Sequence, residues 1–227
     1  MSTKNCIRIL RNTFVLVIIL VLTVPVSGFS YWSNPIFGSR QVNSLFSFYA
    51  NKGISSTETI YRLHEKASIA KDYAIAQGYD AEYCFFIDMR IPSGKNRFFV
   101  YDLKNNSVEI AGLVAHGRGS GIGSPDALMF SNELNSNCTS LGKYKMGRSY
   151  SGIFGLSYKL HGLDRTNSKA FERSVVLHSF CGVPNKEIYP ASICKSEGCP
   201  TVSPAFLAQL KTYLDNSDKP ILLWIYY

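Results

Sequence analysis

Histidine is scarce in this chain, four residues in 227, and tryptophan scarcer, at two. Chemistry that needs an imidazole base therefore has four candidates: His64, His116, His161 and His178. No glycine-rich stretch ends in Gly-Lys-Ser/Thr, so HGRGSGIGS (116–124) is not a P-loop, and it precedes no clear helix. It is expected to form a tight turn that exposes backbone near a pocket. No two cysteines stand in a Cys-x-x-Cys knuckle, which argues against a structural zinc site. Neither an aromatic-basic motif nor a periodic basic helix occurs, so nucleic acid is not an expected partner. Internal repeats and low-complexity tracts are absent as well.

What is present describes a folded protein. Hydrophobic residues make up 46% and charged residues 18%, outside the range of disordered chains. The 14 tyrosines and 14 phenylalanines favour strands, because aromatic rings pack well on pleated surfaces. The length suits one sizeable domain or two small ones.

Residues 1–28 have the layout of a secretory signal. Lys4, Arg8 and Arg11 supply a positive start, Phe14–Leu22 is unbroken apolar sequence, and Val26-Ser27-Gly28 offers small residues for cleavage. The apolar run is shorter than the ~20 residues that span a bilayer. An uncleaved anchor is the alternative, and the one route by which the chain would meet a membrane. Losing those three from 24 basic residues leaves 21 against 16 acidic ones, a net +5 suited to an anionic envelope. Residues 29–56, poor in charge and rich in Ser, Asn and Gly, are expected to be a linker or N-terminal arm.

Beyond residue 56 the pattern changes twice. Ile60, Leu63, Ala67, Ala70 and Tyr73 recur at helical spacing within 57–77, and Gly78 supplies a stop. From Tyr83 the chain becomes short aromatic and β-branched runs: CFFIDMRI, RFFVYDL, VEIAGLVAHG, GKYKMG, GLSYKLHGL, SVVLHSF and ILLWIYY. RSYSGIFGLS (148–157) is taken as a second glycine-rich loop between them. A short helix is expected over 204–215. The expected fold is mainly β (α+β), a β-sandwich or barrel-like core over 83–227 with a leading and a late helix, so that 57–227 forms one domain.

Outside the signal five cysteines remain: Cys84, Cys138, Cys181, Cys194 and Cys199. In an oxidising compartment an odd number leaves one thiol over. A Cys181–Cys194 bridge would close a loop of 12 intervening residues, nominally worth about 3 kcal/mol. Cys84 and Cys138 are a possible second pair or two buried thiols. His178, Cys181, Cys194 and Cys199 can also be written as a zinc set, without the usual spacing. Cys199, in KSEGCPTVSP, is the candidate nucleophile. A strand-borne His178, separated from Ser196 by 17 residues, can reach it in space and take its proton. Gly198 gives the backbone freedom before the thiol, and Pro200 stiffens the chain after it.

His178 followed by SEGC at this spacing resembles the L,D-transpeptidase (YkuD-like) catalytic domain, whose signature is a histidine, a gap of this length, then Ser/Thr-His-Gly-Cys. VAHGRGSG, FSNELNSNCTSLGKYKMG, GLSYKLHGLDRTNSKAFERSVVLHS and SEGCPTVS are similar to the murein L,D-transpeptidase branch. The resemblance covers 83–227. It implies a cysteine acyltransferase of the bacterial cell envelope, periplasmic or secreted, that acts on peptidoglycan stem peptides. Water, a stem-peptide amine or an envelope protein would be the acyl acceptor, and no cofactor or metal is needed. In that reading His178 is the base, oriented by the Ser179 carbonyl. Gly198 and Cys199 amides form an oxyanion hole, and Ser196 supports the loop.

Two departures stand out: Glu197 replaces the family's histidine before Gly-Cys, and Thr201 occupies a position commonly Arg or Asn. His161, in KLHGLD, is a competing base or a loop histidine. His116 is a cleft-lining or a structural residue. Arg118 and Arg173 are candidate carboxylate clamps or ordinary exposed arginines. His64 is expected to be exposed on the first helix.

Overall fold

The computed structural model describes Ala50, residues 56–121 and residues 127–227. The expected signal segment 1–28, nearly all of the arm 29–56 and the end of HGRGSGIGS lie outside the described residues. Among the described residues no helix is long and apolar enough to cross a membrane.

Helix α1 spans Thr57–Gln77. Ser56 caps its start, with Oγ accepting from Thr59 N at 3.4 Å, and Gly78 ends it at φ 70°, a left-handed turn that side chains disfavour. Leu63, Ala67, Ala70 and Ala74, one helical face, are buried. His64 differs from expectation: it is half-buried, with Nδ1 2.7 Å from the Tyr101 hydroxyl.

Eight strands follow: β1 Tyr83–Asp88, β2 Phe98–Asp102, β3 Ser107–Gly112, β4 Gly142–Gly152, β5 Gly155–Gly162, β6 Val176–Ser179, β7 Thr201–Val202 and β8 Leu222–Tyr226. They form one mixed sheet in the order β3-β2-β1-β8-β4-β5-β6-β7. Pairing is antiparallel except at β1–β8 and β6–β7. Past β3 the chain leaves β2, and Ala115 N donates to Thr201 O of β7 at 2.8 Å, so the two ends of the sheet meet in a barrel-like closure. This change of partner is why the run VEIAGLVAHG yields a strand that stops at Gly112.

Both faces of the central strands are covered. Phe85, Ile87, Phe98, Val100, Leu223 and Ile225 point to one core. Their neighbours Cys84, Phe86, Phe99, Tyr101 and Leu222 point to a second core beneath Leu63, Ala67 and Ala70 of α1. The first core is closed by helix α2, Pro204–Asn216, which Ser203 caps by accepting from Phe206 N at 3.2 Å. Phe206 lies so close to Gly112 that a Cβ there would sit 2.7 Å from its ring. Glycine in β3 thus admits the helix.

One expected loop is not a loop. RSYSGIFGLS belongs mostly to β4 and β5, which pair from Tyr144↔Gly162 out to Gly152↔Gly155. The glycines close a hairpin, with Gly155 at φ 72° and Ile153 at its tip.

Candidate active site

The parallel pairing of β6 with β7 builds the site. It sets His178 opposite Thr201, two residues beyond Cys199, so the imidazole and the thiol face one cleft of about 370 Å³. Ala115, Phe154, Arg173, Phe180, Ser196 and Glu197 also line it. Phe154, from the β4–β5 hairpin, stacks on the His178 ring with centroids 4.1 Å apart and planes 18° from parallel. Half of this phenylalanine's surface is exposed, so it forms an apolar roof over the imidazole.

His178 is buried, and its Nδ1 lies 3.1 Å from the Ser179 carbonyl. A carbonyl accepts only, so Nδ1 carries the hydrogen and Nε2 the lone pair. Burial lowers the His178 pKa, partly offset by the Ser179 carbonyl. The ring is therefore neutral at neutral pH and able to accept a proton. Its Nε2 lies 3.0 Å from Thr201 Oγ1, whose hydroxyl can alternatively donate to Cys199 O at 3.3 Å.

Cys199 Sγ accepts from Val176 N at 3.5 Å and lies 4.0 Å from Ser174 O. Burial raises its pKa, opposed by the Val176 N–H and the Arg173 charge. At rest the cleft is lined by a thiol and a neutral imidazole. The Cys199 loop is held by Ser196, whose Oγ donates to Cys199 O at 2.6 Å and accepts from Gly198 N at 3.2 Å. That bond occupies the Gly198 amide expected to face an oxyanion. The Cys199 N–H has no protein acceptor among the described residues and is the amide left for that task. Gly198 has φ 117°, and a Cβ there would lie 3.0 Å from Cys138 O and 3.3 Å from Arg173 Nη2. Only glycine fits.

Arg173 borders the cleft but is engaged elsewhere. Its guanidinium donates to Ser131 O at 2.9 Å and Cys138 O at 2.6 Å, fastening the 131–138 segment behind Gly198. Arg118 forms an exposed ion pair with Glu197 at 2.6 Å, and the Asn137 amide can bridge the two, donating to Glu197 and accepting from Arg118. Glu197 thus replaces an imidazole with a carboxylate that ties this loop to the 116–118 segment. There Arg118 N also donates to Ser196 O, and Ser196 N to His116 O. His161 stacks on Phe171, centroids 5.5 Å apart, and is not among the cleft's lining residues. His116 lines a separate pocket with Arg97, their polar atoms 2.8 Å apart.

Of the residues named from sequence, Cys199, His178, Ser196, Glu197 and Arg173 line one cleft, with Ser179 and Gly198 immediately behind it; His116, His161 and Arg118 do not. Sequence reasoning missed Phe154, Phe180 and Lys195 as lining residues. Their one available signal was an exposed aromatic or base beside a glycine or cysteine. The five cysteines among the described residues are free thiols. Cys84 is buried beneath α1 and Cys138 sits beside Gly119, so these two serve separate parts of the interior. No group of three His, Cys, Asp or Glu side chains among the described residues could hold a metal ion, so the zinc set does not assemble.

Against this geometry, residues 56–226 match the family model described as L,D-transpeptidase catalytic domain. Comparison with curated proteins returns no match. Solved structures similar to the chain include an L,D-transpeptidase from Xylanimonas cellulosilytica, 13% identical, covering 68% of each chain at a TM-score of 0.36. The helical cell shape determining protein Pgp2 from Campylobacter jejuni is 11% identical, covering 68% of this chain and 54% of that one at 0.40. L,D-transpeptidase 1 from Mycobacterium tuberculosis is 13% identical, covering 63% and 60% at 0.33.

Proposed function

The chain belongs to the L,D-transpeptidase catalytic domain family, and on that premise we propose that it is a cell-envelope cysteine acyltransferase acting on peptidoglycan stem peptides. The observation that carries the reading is the β6–β7 register, which brings a neutral imidazole whose lone pair is on Nε2 to the cleft of a free thiol.

Cys199 Sγ gives its proton to His178 Nε2 and attacks the carbonyl that joins the L-centre of diaminopimelate to the terminal D-alanine. The oxyanion forms facing the Cys199 N–H. Imidazolium then returns the proton to the D-alanine nitrogen, the C–N bond breaks, and a thioester remains on Cys199. An amine from a second stem or from an envelope protein attacks it to give transpeptidation, and water gives carboxypeptidase activity. Its proton passes through His178 to the departing sulfur. For Nε2 to take the proton, the Thr201 hydroxyl releases that nitrogen and turns to its alternative acceptor, Cys199 O. The reading puts the protein in the periplasm or outside the cell, delivered by residues 1–28.

A second reading, a catalytically inactive peptidoglycan-binding protein of the same fold, is favoured by one observation. Nε2 is engaged by Thr201, and the thiol is turned to Val176 and Ser174. One experiment separates the two. Incubated with a carbapenem as acylating mimic, the wild-type protein gains the mass of one adduct and the Cys199→Ala variant gains none. An unmodified wild-type mass together with no muropeptide product favours the inactive reading.

A further inference from the structure

A second pocket, of about 630 Å³, lies beside the Cys199 cleft and shares Lys195 with it. Its walls are the turn after β1 and the segment before the nucleophile loop. Ile188 N and Tyr189 N donate to Gly94 O at 2.9 and 3.1 Å, and Ile193 N donates to Ser93 Oγ at 3.3 Å. The pocket is therefore built by backbone bonds rather than by mobile side chains.

Its floor holds an unusual charge. Arg97 is 1% exposed, and among the described residues no carboxylate forms an ion pair with it. Its guanidinium donates to Val114 O at 2.7 and 3.0 Å, to Ile91 O at 3.2 Å, and to His116 Nδ1 at 2.8 Å. Neutral acceptors satisfy its hydrogen bonds but leave its charge uncompensated. The nearest influential acid, Asp88, is itself buried and committed to Arg62 at 2.7 Å.

Arg97 also fixes the tautomer of its neighbour. A guanidinium can only donate, so His116 Nδ1 accepts and Nε2 carries the hydrogen. That Nε2–H and Lys195 Nζ both flank Gly121: a Cβ at this glycine would lie 3.6 Å from the first and 2.7 Å from the second. Arg90 stands at the rim, and among the described residues no Asp or Glu side chain lines the pocket. Among the described residues no side-chain carboxylate pairs with Arg97, Arg90 or Lys195. Hydrogen-bond donors and positive charge thus converge on an open point, while Met89, Ile91, Leu128 and Ile193 supply apolar wall. That combination matches an organic carboxylate with a hydrocarbon body rather than a bare inorganic anion.

We propose that this pocket is a carboxylate-binding subsite, in which Lys195 Nζ and His116 Nε2–H receive a carboxylate of a peptide substrate above the Arg97 guanidinium. That the same peptide reaches Cys199 rests on the acyltransferase reading. The subsite itself does not, because it reacts with nothing. Lys195, common to both pockets, would tell the nucleophile's cleft that the neighbouring subsite is filled with an acid.

The test uses N-acetyl-D-alanine and N-acetyl-D-alaninamide, neither of which acylates a thiol. His116 ring signals are followed by NMR in the full chain. The acid gives a saturable shift, the amide gives none, and Lys195→Gln weakens the acid by roughly tenfold, the loss of one charge-assisted bond. Lys195 is exposed, so the variant keeps the fold. The Cys199→Ala variant must show the same shift as wild type. The proposal is overturned if the acid gives no saturable shift, if the amide or sodium chloride at equal ionic strength shifts His116 equally, or if Lys195→Gln binds the acid undiminished. Carbapenem acylation of Cys199 is scored separately, so a failure here and a failure of the acyltransferase reading leave different records.

Discussion

The centre of the sheet and its β6–β7 edge are built on opposite terms. At the centre, β1 and β2 are buried on both faces, and parallel β1–β8 pairing locks their register. At the edge, β7 is two residues long and β6 four, yet they carry the thiol's loop and the imidazole. The centre is held by side-chain area, the edge by individual hydrogen bonds through Ser179, Ser196 and Thr201. Core packing supplies stability that tolerates no vacancy, whereas the site needs single atoms held in place at little cost to the whole.

That contrast can be broken from either side. Phe86→Ala empties a fully buried position between α1 and the sheet and is expected to cost about 3–5 kcal/mol in denaturant unfolding. Cys199→Ala is expected to change stability by less than about 1 kcal/mol while abolishing acylation. Equal stability losses in the two variants would erase the distinction.

Gly198→Ala tests the edge alone. At φ 117°, with a Cβ 3.0 Å from Cys138 O, it is expected to cost about 1–3 kcal/mol and to displace the thiol. Denaturant midpoints and acylation rates should fall together.

Acid stability probes the second pocket. Burial, followed by the charges of Arg97 and Lys195, lowers the His116 pKa from 6.5 to about 4. The unfolded chain then binds more protons between these values. The His116 contribution is therefore complete above about pH 6.5 and is lost as pH falls toward 4. His64, His161 and His178 are shifted in the same direction. Thermal midpoints should decline across that window, and His116→Gln should flatten the decline. A wild-type midpoint that stays level from pH 7 to 4 would contradict the burial argument.

Thr201→Val gives the smallest effect and the sharpest one. It leaves His178 Nε2 and Cys199 O without their shared hydroxyl and is expected to cost about 1–2 kcal/mol. Iodoacetamide should nonetheless alkylate Cys199 several-fold faster at neutral pH, because the base no longer has a competing partner. A slower rate would make Thr201 a supporter of the base rather than its competitor.

What could be foreseen from sequence divides along the same line. Helix α1 was legible because the period of Leu63, Ala67 and Ala70 and the stop at Gly78 are local signals. The central strands were legible because aromatic runs between turns have few other uses. β7 was not: Thr201 and Val202 are a strand only because β6 lies beside them. The extension of β4 through the glycines of RSYSGIFGLS needed its partner β5 to be seen. At the site, Cys199 and His178 stood out by residue type and spacing. Glu197 gained meaning only from Arg118, 79 residues away, and His116 only from Arg97, 19 residues away. Such partners are set by sheet topology, which no local window contains.

The most direct measurement is the intact mass of the protein quenched during turnover of a stem tetrapeptide, followed by digestion to locate the label. The account predicts a thioester on Cys199 that retains the tripeptide and has lost D-alanine, absent in Cys199→Ala and strongly reduced in His178→Gln. A wild-type protein that releases D-alanine while Cys199 stays unmodified, or a Cys199→Ala variant that still forms the adduct, would contradict it.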